Sequence, residues 1–211
     1  MELSSLQKFG GFSLIAGSLC LTAYSVFFFT LLPFNKIRQD FTLAILNPNW
    51  TWICLVVFIG VILMLFGFTA AYSKLYKDSG VLGFLGYIFV EIAYLFQACK
   101  VTWELCLYPV IARNQSSVTL FKDAIINHSH GIAVFKSVAS ISILLGIVLF
   151  CLMLIRSKEF PKSAGILIFI GALFYGLGPM VTVVMAIGGI IVLSIGCFQV
   201  GLKLINQTEN A

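Results

Sequence analysis

The sequence predicts an all-α integral membrane protein, a bundle of six transmembrane helices with both termini on the cytoplasmic side. Two observations predict the class. Of 211 residues, 60% are hydrophobic and only 10% are charged, which leaves too little polar surface to cover a water-exposed globule. Apolar runs of about 20 residues, the length that crosses about 30 Å of hydrocarbon, also recur along the whole chain. A third observation, the bias of Lys and Arg among the loops, supplies the orientation. The chain is expected to form a single membrane domain.

The first span covers 9–32 and ends at Pro33, followed by Asn35, Lys36 and Arg38. It is longer than the core of a secretory signal and no small-residue cleavage site follows it, so it is expected to be a true span. The second covers 52–72 and is closed by Lys74 and Lys77. The third begins after Ser79-Gly80 and covers 81–108, with Pro109 and the polar stretch from Arg113 to Ser117 beyond it. The fourth covers 132–155. From Ala164 to Leu202 the chain is apolar for too long to be one span. It divides into 164–178 and 180–202, with Gly176, Gly178 and Pro179 as the turn, because Gly and Pro are the strongest local breakers. Four spans would result if this last stretch formed one kinked or re-entrant element, and five if it crossed as one strongly tilted helix.

Orientation follows from the retention of Lys and Arg on the cytoplasmic side of short loops. With the N-terminus inside, the inner segments hold Lys8, Lys74, Lys77, Arg156, Lys158, Lys162 and Lys203. The outer segments hold Lys36, Arg38, Arg113 and Lys122, with Lys136 just inside the fourth span. The net charge of +5 is what this rule produces in a small multi-pass protein, and without a basic run or a soluble domain it makes no case for nucleic-acid binding.

The stretch from Ser73 to Phe89 resembles that from Ser157 to Phe174. Each is a basic turn leading into an apolar helix with spaced glycines. A duplication here would be parallel, related by an axis along the membrane normal, and would set Glu91 against Gly176 and Tyr94 against Pro179. Convergence is the simpler explanation, since short basic turns before membrane helices look alike. Glycines are frequent in the last two spans, where small residues allow close helix approach.

Three ionisable residues interrupt the third span: Glu91, Lys100 and Glu104. A charge at the centre of a membrane helix costs roughly 2.5 to 3.5 kcal/mol on insertion scales, so such residues mark an ion path, a partner or a structural pair. Glu91 lies about ten residues into the span, near the midplane at about 1.5 Å per residue. Two readings compete for it. Its carboxyl is hydrogen bonded to Tyr87, Tyr94 or another helix, or it takes part in proton or cation movement. Lys100 and Glu104, one helical turn apart on the face that also carries Gln97, are placed to pair at the outer boundary. Lys136 is a further candidate partner for Glu104. Glu91 falls on the opposite side of the helix from Lys100.

The six cysteines, Cys20, Cys54, Cys99, Cys106, Cys151 and Cys197, contain no close pair, so spacing supports neither a redox motif nor a metal site. His128 and His130 stand together before the fourth span, and no second histidine group exists for haem ligation. Acceptor patterns for glycosylation at Asn49, Asn114, Asn127 and Asn206 are short and expected by chance. No metalloprotease, serine-hydrolase or phosphate-loop motif occurs. The expectation is therefore a protein without cofactor or metal that contacts lipid and acts as a non-catalytic accessory subunit, or as partner in a larger membrane complex or a homo-oligomer. A small proton- or cation-coupled transporter or channel using Glu91 comes second, and a membrane-embedded lipid or redox enzyme last. Compactness and short loops suit a bacterial cytoplasmic membrane.

Overall fold

The computed structural model describes residues 3–32, 42–114, 116–119 and 130–207. Lys36, Arg38, Lys122, Asn127 and His128 lie outside them. Six helices are long and apolar enough to cross a membrane, and no strand occurs among the described residues. Helix α1 runs Leu3–Leu31, a short α2 runs Thr42–Ile45, and α3 runs Trp50–Thr102. A π-helical turn at Trp103–Leu107 leads into α4, Tyr108–Ala112; α5 is His130–Arg156, α6 Lys162–Val181 and α7 Val183–Gln207.

Hydroxyl side chains inside α1 bond to carbonyls of the preceding turn, the arrangement a membrane core requires of any polar group. Thr22 Oγ1 donates to the Ser18 carbonyl at 3.0 Å, and Ser25 Oγ to that of Leu21 at 3.0 Å. Helix α3 holds the second span and most of the third in 53 residues. Straight, it would be about 80 Å long, more than twice the hydrocarbon thickness. It breaks instead at Gly80, whose φ of 56° and ψ of −165° lie in a region essentially open to glycine alone. The two halves fold back as a hairpin: Tyr72 stacks on Tyr87 with ring centres 4.4 Å apart, and Phe68 meets Tyr94 at 5.4 Å.

The π turn precedes Pro109. A proline ring clashes with the carbonyl four residues earlier, and widening the preceding turn relieves that clash. The Tyr108 N–H accordingly reaches back five residues to the Trp103 carbonyl.

The break between the last two spans differs from expectation. Gly176, Gly178 and Pro179 are all helical, and the chain turns at Thr182, which is extended at φ −150° and ψ 149°. A proline disfavours helix in the residue before it partly through that residue's Cβ, and Gly178 has none. Thr182 then caps α7, its Oγ1 accepting the Met185 N–H at 3.1 Å. The glycines serve close approach: a Cβ on Gly178 would meet Ala186, one on Gly189 would meet Phe174 and Tyr175, and one on Gly171 would meet Gly189 and Leu193.

The six spans close into a ring. Helix α1 packs on the first half of α3 through Gly10, Gly17, Gly60 and Gly67, and on α7 where Gly11 faces Gly201. The second half of α3 packs on α5 through Gly86 and Gly146, α5 on α6 through Gly165, and α6 on α7. Phe68, Val90, Tyr94, Phe150, Ile168 and Leu193 fill the centre and leave a void of about 10 Å³. That is the space of a single water.

The suspected repeat shares a bundle end but not a turn. Its first copy bends at Gly80, whereas its second leaves the helix after Arg156 and re-enters at Lys162. The two turns are neighbours, with Lys74 Nζ 3.7 Å from Glu159.

Candidate functional site

Folding the hairpin at Gly80 brings Thr69 and Glu91, each eleven residues from the turn, to the same depth. Thr69 Oγ1 donates to Glu91 Oε1 at 3.2 Å and lies 3.2 Å from the Tyr87 hydroxyl. Tyr87 is one helical turn before Glu91, so carboxyl, threonine and phenol form one line across the hairpin. A hydroxyl has a single proton. When Glu91 is ionised and accepts from Thr69, Thr69 must accept from Tyr87. When Glu91 is protonated it can donate to Thr69, which then donates to Tyr87. The line therefore has two hydrogen-bond polarities, set by one proton on Glu91.

Glu91 is half-buried and lines neither the central void nor the larger cavity at the Gly80 end. Of the partners expected for it, the structure uses another helix. Tyr87 reaches the carboxyl only through Thr69, and Tyr94 turns inward to pack between the two core clusters. Thr69 is the residue the sequence reading missed. A lone threonine in an apolar helix is unremarkable, but counting equal distances from the Ser79-Gly80 turn would have pointed to it.

Lys100 and Glu104 form a second position. Lys100 Nζ is 3.1 Å from Glu104 Oε1. Glu104 is 9% exposed, drawn inward in the π turn, while Lys100 is exposed. The Glu104 carbonyl accepts from Trp50 Nε1 at 2.8 Å, joining the start of the second span to the end of the third. Gln97 is half-buried and does not enter the ion pair. Lys136, offered by the sequence as a partner for Glu104, is exposed on α5 and makes no ion pair with it: Glu104 is bound by the lysine one turn before it, which needs no helix to move.

Three further polar contacts cross between helices. Thr22 Oγ1 and Ser194 Oγ are 2.7 Å apart, Ser194 Oγ also lies 3.1 Å from the Ser18 carbonyl, and Ser25 Oγ lies 3.4 Å from the Tyr175 hydroxyl. Such bonds hold membrane helices together. All six cysteines are free thiols; Cys54, Cys151 and Cys197 are buried and Cys99 and Cys106 exposed. Among the described residues no three His, Cys, Asp or Glu gather as metal ligands. His130 opens α5 and is exposed.

No protein-family profile, curated protein or solved structure matches the chain.

Proposed function

We propose that this multi-pass membrane protein is a non-catalytic subunit, an accessory or partner within a larger assembly of the bacterial cytoplasmic membrane. The observation that supports the reading is the filled centre of the ring. A carrier or channel works through a polar path to a site near the midplane, and here that position is taken by Phe68, Tyr94 and Phe150 around a void of about 10 Å³. The midplane carboxyl is bonded sideways to Thr69, as a group that fastens two helices is. The acid of the second position is held by Lys100. Both acids thus have structural partners.

The test pairs isolation with flux. Extracted from its own membrane in mild detergent, the protein is expected to run with one other membrane protein at fixed stoichiometry. Reconstituted alone, it is expected to pass protons and monovalent cations no faster than empty vesicles do. Flux above that background, lost in Glu91→Gln while the variant stays folded, would overturn the assignment.

A second reading, a proton-coupled transporter, draws on one specific observation. The line from Tyr87 through Thr69 to Glu91, with steps of 3.2 Å, reverses its polarity when one proton arrives. The same flux measurement separates the two readings.

A further inference from the structure

The larger cavity, about 510 Å³, opens at the end of the bundle that carries the Gly80 turn. It exists because small residues sit where two helix ends meet. Gly80 leaves the helix with nothing within 4 Å of where its Cβ would be, and Gly83 lies so close to Ser79 and Met153 that a Cβ would meet the Met153 sulfur at 2.7 Å. One wall comes from the third span, the other from the end of α5 and the residues after it.

The lining is divided by chemistry. Leu82, Leu149 and Leu152 form an apolar wall that continues onto the outer face of the bundle, where Val81 is 74% exposed and Leu82 58%. Ser79, Arg156, Ser157 and Lys158 form the polar rim. Arg156 and Lys158 are exposed and among the described residues neither has an acidic partner, because the neighbouring Glu159 carboxylate is held by Lys74 at 3.7 Å. In sequence, the two turns at this end carry Lys74, Lys77, Arg156, Lys158 and Lys162 against Asp78 and Glu159. The excess is positive, and of these five Arg156 and Lys158 line the cavity.

We infer that this cavity binds one anionic phospholipid, with its phosphate between Arg156 and Lys158 and its acyl chains leaving along Leu82 and Leu152 into the bilayer. Charge complementarity selects the headgroup: a guanidinium offers a planar fork of donors to phosphate oxygens and an ammonium a mobile point charge. The volume falls within the range of about 300–1,000 Å³ typical of small-molecule sites. The apolar wall selects a lipid over a soluble anion, since a free phosphate would leave Leu82, Leu149 and Leu152 without a partner of their own chemistry. Basic pockets between spans on the cytoplasmic side are places where anionic headgroups settle, and the excess of Lys and Arg puts this end there. The inference is independent of the function proposed for the Glu91 position.

The experiment is native mass spectrometry of the intact protein released from nanodiscs of phosphatidylglycerol and phosphatidylcholine in equal parts. One phosphatidylglycerol is expected to stay bound in preference to phosphatidylcholine. Near a membrane surface each Lys or Arg is worth about fivefold in binding to anionic lipid, so Arg156→Gln with Lys158→Gln is expected to reduce the preference roughly 25-fold. Lys162→Gln, outside the lining, is expected to retain it. Equal retention of both lipids, or a preference unchanged in a double variant with wild-type circular dichroism, overturns the inference. So does thermal protection by inorganic phosphate equal to that by phosphatidylglycerol, which would make the ligand a free anion. Should the double variant fail to fold, the wild-type protein decides: its preference must fall as salt rises, and indifference to salt refutes the site.

Discussion

At the scale of single residues, Thr69 determines what Glu91 is. Its hydroxyl is the group shown bonded to the Glu91 carboxyl from the facing helix, and it also contacts Tyr87. Thr69→Val keeps the β-branched shape and removes only that hydroxyl, leaving the carboxyl without its cross-hairpin donor. Interhelical hydrogen bonds in membranes average about 0.6 kcal/mol and reach about 1.7, and leaving a buried group unsatisfied costs about 1–3 kcal/mol. Thr69→Val is therefore expected to lose about 1–2 kcal/mol. Glu91→Gln, whose amide oxygen still accepts from Thr69, is expected to lose less than half of that. Reversible unfolding in mixed micelles measures both; equal losses would mean that the carboxylate charge, not the hydrogen bond, holds the position. Glu91 was legible in the sequence because a carboxyl among apolar residues stands out. Thr69 was not, since its importance comes from the register of the hairpin and not from its type.

At the scale of elements, the glycines separate by the reason each is glycine. Gly80 has a φ of 56° and empty space around its missing Cβ, so Gly80→Ala meets only the backbone. A non-glycine residue in that region costs about 1–3 kcal/mol. Gly176 also has empty space but sits in a helix without a positive φ, where alanine is favoured by about 0.5–1 kcal/mol. Opposite signs are expected: Gly80→Ala lowers the thermal midpoint in a fixed detergent and Gly176→Ala raises it. A fall in both would show that Gly176 packs against a neighbour. The sequence placed the last turn at Gly176–Pro179 by composition, but glycine and proline break helices only where packing lets them. Here Gly178 lies against Ala186, and the turn belongs to Thr182, whose hydroxyl caps the next helix. A threonine cap within an apolar run of nearly 40 residues gives little local signal.

For the whole molecule, the count of six spans was legible because length and hydropathy define a span, whereas the ring and its filled centre were not. In a membrane protein the lipid-facing and core-facing residues have the same chemistry: Leu144 is 57% exposed and Leu154 is 0% exposed, on one helix. Apolar patterning that reveals the inner face of a soluble helix is therefore faint here. Orientation is different, because it is carried by charges outside the bilayer. An even number of crossings puts the start of α1, the end of α7, the Gly80 turn and the turn after Arg156 at one end, and Arg113 at the other. Seven basic residues, against five assigned to the opposite end, are the basis for expecting the first of these ends to be cytoplasmic. With native cysteines replaced, Lys158→Cys and Arg113→Cys provide the two reporters, both positions being exposed. A membrane-impermeant maleimide added to intact cells is expected to label the Arg113→Cys variant and to label the Lys158→Cys variant only after permeabilisation. Labelling in the reverse order would invert the protein and place Arg156 and Lys158 on the outer leaflet, away from the anionic inner surface. Labelling of both positions in intact cells would mean two populations, the outcome a modest charge bias permits and one that a single added Lys in the 157–161 turn is expected to correct.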